Sequence, residues 1–101
     1  MANKALEITR TLLQKDFNLA DPLEEVDNQD ALKKQMIPVL DHLLNHDMEK
    51  LLLVAYRIDL NETEFKAVLS NSNPDNLSAN LADMIIAREM EKAITRLQYR
   101  S

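Results

Sequence analysis

The chain has 101 residues, a net charge of −5, and 46% hydrophobic but only 4% aromatic residues. These figures fit one helical domain spanning residues 1–101 with an aliphatic core, and they exclude a disordered chain, whose apolar content would be far lower. Glycine and cysteine are both absent, which removes glycine-dependent hairpins, phosphate-cradling loops, disulfides, thiolate metal sites and thiol nucleophiles.

Without glycine, left-handed helix ends fall to asparagine, the next most tolerant residue. Asn18, Asn45 and Asn71 stand where such ends are expected. Residues 1–10 carry Lys4, Glu7 and Arg10 and do not read as a signal peptide. The longest apolar run, Leu51 to Tyr56, has six residues, far short of the roughly 20 that a membrane span needs. The expectation is a cytoplasmic protein with no membrane association.

From Asn3 to Phe17, Ala5, Leu6, Ile8, Leu12, Leu13 and Phe17 fill about half of a helical wheel, which predicts an amphipathic helix capped by Asn3. Asp21-Pro22-Leu23-Glu24 reads as a helix start, with a capping carboxylate and proline in the first position. The polar run Asp27 to Asp30 limits that helix to a single turn. A further helix begins near Asp30 and buries Leu32, Met36, Val39, Leu40, Leu43 and Leu44. Pro38 interrupts its hydrogen bonding without shifting the apolar stripe, which predicts a kink.

Asp47 falls on the apolar side of that stripe, so the helix ends before it and Asp47 caps the next, Met48 to Ile58. Leu51 to Ile58 is apolar almost all round, which places this helix at the centre of the bundle. Asn61-Glu62-Thr63-Glu64 is a capping box opening a helix to about Ser70. The turn cluster Asn71 to Asn76 separates it from a long final helix, Leu77 to Tyr99. The expected fold is all-α: a compact bundle of about five helices plus a short turn, with a long C-terminal helix.

That last helix carries two apolar groups. Leu77, Leu81, Met84 and Ile85 share one face, and Ile86, Met90, Ala93, Ile94 and Leu97 lie nearly opposite. Drift of about 20° per heptad is too small to explain a reversal. The second group therefore reads as an interface, covered either by the first helix of the same chain or by a second chain in a homodimer.

His42 and His46, at i and i+4, place both imidazoles on one helix face, the spacing of a two-histidine metal site. The position after His42 is Leu43 rather than the glutamate of a zincin, and a helix end before Asp47 separates Glu49 from that face. No metal or cofactor site is therefore assigned; a metal-binding or hydrolytic role for the pair is the alternative reading. Asp59, close to Arg57, is the best-placed carboxylate for acid–base work, although a surface or helix-end ion pair explains it far better. No nucleophile motif surrounds any serine or threonine.

Arg88, Lys92, Arg96 and Arg100 recur every four residues, interleaved with Glu89 and Glu91. Over residues 74–101 four acids balance four bases, which argues against nucleic acid and for a solvated face of intrahelical ion pairs.

The run His42-Leu43-Leu44-Asn45-His46-Asp47-Met48-Glu49-Lys50-Leu51-Leu52, followed by Tyr56-Arg57-Ile58-Asp59-Leu60, resembles small bacterial helical proteins of unassigned role. The resemblance implies no activity and no site residue. The expected function is a non-enzymatic interaction or regulatory module, a homodimer or a protein that meets a protein partner, without nucleic acid.

Overall fold

Four helices begin where an asparagine or aspartate can take up a backbone N–H of the first turn, in a computed structural model that describes residues 3–99. Asn3 accepts from Leu6 at the start of α1 (Lys4–Asp16), and Asn28 from Ala31 at the start of α2 (Gln29–His46). Asp47 accepts from Lys50 before α3 (Met48–Arg57), and Asn61 from Glu64 before α4 (Glu62–Asn71). The last helix, α5 (Leu77–Gln98), follows Asn76, whose side chain makes no capping bond. Among the described residues these five helices are accompanied by no strand. The fold class is all-α, with the long C-terminal helix in place.

Helix ends show how the chain dispenses with glycine. Asn18 and Asp59 adopt positive φ, 49° and 60°. At each, the next residue reaches back to a carbonyl five positions earlier: Leu19 N–H donates to Gln14 and Leu60 N–H to Ala55. Both α1 and α3 thus end in the Schellman motif with a short polar side chain in the left-handed position. Only Asn18 of the three expected asparagines plays this part. Asn45 and Asn71 lie within the last turns of α2 and α4, and Asp59 supplies the other left-handed end.

Two local expectations need correction. Residues 21–26 form no helix. One turn is too short to offset the cost of nucleation, and the backbone here finds partners elsewhere. Gln14 accepts from Leu23 N–H, Gln35 both accepts from and donates to Glu24, and Arg10 donates to the Leu23 carbonyl. The segment is a strap pinned over the core by Leu23, which is buried. Secondly, the helix that carries Pro38 is the second of the chain, not the third as counting a turn at Asp21 would make it, and it continues past the proline as the unshifted apolar stripe predicts. Pro38 and Lys34 both face solvent, where water can replace the donor that the proline lacks.

The core gathers Leu13 of α1 and Phe17 just after it, Leu32, Met36 and Leu40 of α2, Leu51 of α3 and Ile58 just after it, and Leu81 and Ile85 of α5, all fully buried. α5 is the strut: α1, α2 and α4 all pack on it, whereas α3 packs mainly on α2. At 22 residues it is about 33 Å long and accounts for most of the 41 Å long axis.

Its buried residues are Ser78, Leu81, Ala82, Ile85, Ile86, Glu89 and Ala93. At 100° per residue they occupy one continuous stripe about 140° wide. The reversal expected from the apolar residues alone is absent, because a serine, a small alanine and a glutamate bridge the two groups.

The left-handed position at Asn18 yields a direct test. Asn18→Gly should leave stability unchanged or raise it by up to about 1 kcal/mol, and Asn18→Val should lower it by about 1–2 kcal/mol, read from urea denaturation midpoints.

Candidate interaction surface

The face of α5 expected to be covered by α1 or by a second chain is largely enclosed within this chain, with α1 packed along α5. Ile86 and Ala93 are buried within the chain, Met90 and Leu97 are half-buried, and Ile94 is 45% exposed. On the α1 side the Thr9 hydroxyl donates to the Ala5 carbonyl at 2.7 Å and lies 3.0 Å from the Met90 sulfur. This satisfies a hydroxyl that is fully buried in the seam.

Glu89 lies at the centre of the α5 stripe, fully buried. Neither carboxylate oxygen accepts a hydrogen bond, and the nearest cation, Lys92 Nζ, is 3.8 Å from Oε1. Burial is the main cause that lifts the Glu89 pKa from 4.5 to about 8. Asp16 adds to the rise: its carboxylate can accept a hydrogen bond from the protonated acid, and its charge opposes a second negative one. Lys92 and Arg88 pull the other way. At neutral pH the seam therefore encloses a protonated acid. Its signal in the sequence was positional, since it sits four residues after Ile85 and four before Ala93, yet by residue type it reads as part of a solvated face.

α3 departs furthest from expectation. Leu51, Val54 and Ala55 face inward, but Leu52, Leu53 and Tyr56 are 48%, 57% and 87% exposed. A helix apolar almost all round thus lies at the surface, with one apolar side buried and the other bare. Beside the bare side opens a cleft of about 1270 Å3 bounded by α3, α4 and α5. Its floor includes Ala55, Phe65, Val68, Leu69, Met84 and Ala87, and Leu52 and Tyr56 line one wall. The cleft exists because α3 and α4 barely touch: Phe65 is the buried residue of α4, and that helix is anchored chiefly on α5.

Arg88 lies at the edge of this cleft. Its Nε donates to the Ile58 carbonyl at 2.9 Å, so it caps the C-terminal end of α3. Its other nitrogens reach Glu91 at 3.1 Å and Asp59 at 3.6 Å. Asp59 thus pairs with Arg88, and Arg57 instead donates to the Asp16 carbonyl at 3.2 Å. The expected basic stripe is divided: Arg88 binds α3, Lys92 faces Glu89, and Arg96 is exposed. Arg100 lies outside the described residues.

The two histidines share a face as their spacing requires, with ring centroids 5.1 Å apart, and both are exposed. Asp47 is occupied as the cap of α3. Among the described residues no three histidine, aspartate or glutamate side chains come together to hold a metal ion, and no helix is long and apolar enough to cross a membrane.

No family model, curated protein or solved structure matches the chain, and the likeness of residues 42–60 to small bacterial helical proteins gains no support from these comparisons.

The buried acid sets a pH dependence. Its folded pKa lies above the ordinary value, so its proton stabilises the fold fully below pH 4.5, and that contribution is lost as pH rises toward about 8. Glu89→Gln should therefore melt about 5 °C or more above the wild type at pH 8 and converge with it near pH 4. Thermal denaturation across that range is the check.

Proposed function

We propose that the chain is a non-enzymatic helical interaction module that self-associates, and we assign it to the cytoplasm as part of the same reading. The observation that carries it is the bare apolar side of α3, where Leu52, Leu53 and Tyr56 stand in solvent beside one another. A helix so short gains nothing in the isolated chain by holding three large apolar groups out of its core. Contiguous apolar patches of this kind mark surfaces that a partner covers.

Self-association is the simplest such event, because two copies meeting through one shared face close on each other without further growth. The C-terminal helix contributes less than its sequence suggests. Ile86 and Ala93 are already buried within the fold, and Ile94, 45% exposed, is the most open member of that group.

Light scattering after gel filtration should give the mass of a dimer at high protein concentration. Leu53→Asp should shift the population toward monomer and Ile94→Asp should do so more weakly, both without loss of helix content. A wild-type chain that remains monomeric at every concentration, with the same elution as Leu53→Asp, would overturn the self-association.

A further inference from the structure

If the chain is an interaction module, the cleft beside the bare side of α3 should have an occupant, and its chemistry specifies one. We propose that the cleft bounded by α3, α4 and α5 receives an amphipathic helix with a basic flank, supplied by a partner protein.

Shape is the first argument. The walls α3 and α4 have 10 residues each, about 15 Å, or nearly three turns. The volume of about 1270 Å3 exceeds the 300–1,000 Å3 typical of small-molecule pockets. The walls are helices, so no strand edge is offered to an extended peptide. The mode that remains is a helix lying in a groove, with anchors at i, i+3, i+4 and i+7. The floor of Ala55, Phe65, Leu69, Met84 and Ala87 suits such anchors, since two alanines leave room for leucine-sized side chains from outside.

Charge is the second argument. Five carboxylates line the cleft, those of Asp59, Glu62, Glu64, Asp83 and Glu91, against two bases, Lys66 and Arg88. Lys66 pairs with Glu62 at 3.0 Å, Arg88 with Glu91 and Asp59, and Asp83 with Lys33 of α2, so Glu64 stands outside these pairs and the lining keeps an excess of three negative charges. The rim therefore presents a negative field to an incoming chain. It favours a helix with lysine or arginine beside its apolar stripe and repels an acidic one. A second copy of this chain, with a net charge of −5, is the poorer electrostatic match.

The test uses the full-length chain and two fluorescently labelled probes of about four turns. One is an amphipathic leucine–lysine peptide and the other a leucine–glutamate peptide with the same apolar pattern. Polarisation titrations should show the lysine peptide binding at least about tenfold more tightly. Amide shifts should map to Leu52, Ala55, Phe65, Leu69, Met84 and Ala87. Glu64→Lys, at an exposed rim position, should weaken the lysine peptide several-fold, and Glu25→Lys, the same charge change on the strap away from the cleft, should leave it unchanged.

Equal affinity for the two peptides, shifts centred elsewhere, equal loss in Glu25→Lys, or no saturable binding would each overturn the proposal. So would shifts at Phe65, Leu69, Met84 and Ala87 on concentrating the protein alone, which would assign the cleft to a second copy, whereas shifts confined to Leu52 and Tyr56 belong to the self-associating side of α3. Repeating the titration with Leu53→Asp, which lies outside the cleft lining, separates the two readings. Peptide binding by that variant upholds the cleft whatever the oligomeric state, and a dimer without peptide binding leaves self-association standing alone.

Discussion

Everything in this fold is arranged around the side of α5 that is kept dry. α1, α2 and α4 share few contacts that do not run through it, so its stripe from Ser78 to Ala93 determines which elements belong to the core. Two features make the stripe workable. Ala82 and Ala93 are small and fully buried, which lets neighbouring helices approach closely. Ser78 at its start donates to the Asp41 carboxylate, and Lys33 meets Asp83 at 3.0 Å. Together these fix the register of α5 on α2.

The exception within the stripe is Glu89, and it is instructive because nothing nearby neutralises it well. A salt bridge with close geometry would hold the acid ionised, but Lys92 is 3.8 Å away and keeps partial access to solvent. Asp16 faces it from α1. The less costly state is therefore the neutral one, in which Glu89 becomes a donor and Asp16 its acceptor. The α1–α5 seam is thus joined by Thr9 near Met90 and, when protonated, by the Glu89–Asp16 pair, with apolar contacts on either side. Side chains of this kind fix alignment more than they add stability.

How far the sequence discloses this architecture follows from the range of each interaction. Asn3, Asp47 and Asn61 act on residues three positions away, and their capping roles can be read directly from the chain. The Schellman ends are half legible: the lack of glycine points to Asn18, but Asp59 reads as an acid rather than as a backbone residue. The strap at 21–26 was not legible, because Gln14 and Gln35, which replace its helical bonds, come from distant turns. Glu89 and α3 fail in opposite directions for one reason. Periodicity reports residue type along a helix, whereas burial depends on which neighbours arrive. A carboxyl was enclosed because α1 lies over it, and Leu52, Leu53 and Tyr56 were left out because α4 stops short.

The open and closed sides of α5 are therefore linked consequences of chain length. α1 is 13 residues long and runs beside α5 far enough to seal it, whereas α4 has 10 residues and one buried anchor, Phe65. A longer or more apolar α4 would close over Met84 and Ala87 and meet the outward side of α3, consuming that surface in the core. The chain instead spends Arg88 at this boundary, where it ties the end of α3 to α5 and holds Asp59 and Glu91 at the rim. The arginine closes the helix end without filling the cleft, so α3 is held in place from its tip while its apolar side stays open. A surface held open in this way is preorganised, and preorganisation lowers the entropic cost of any association there.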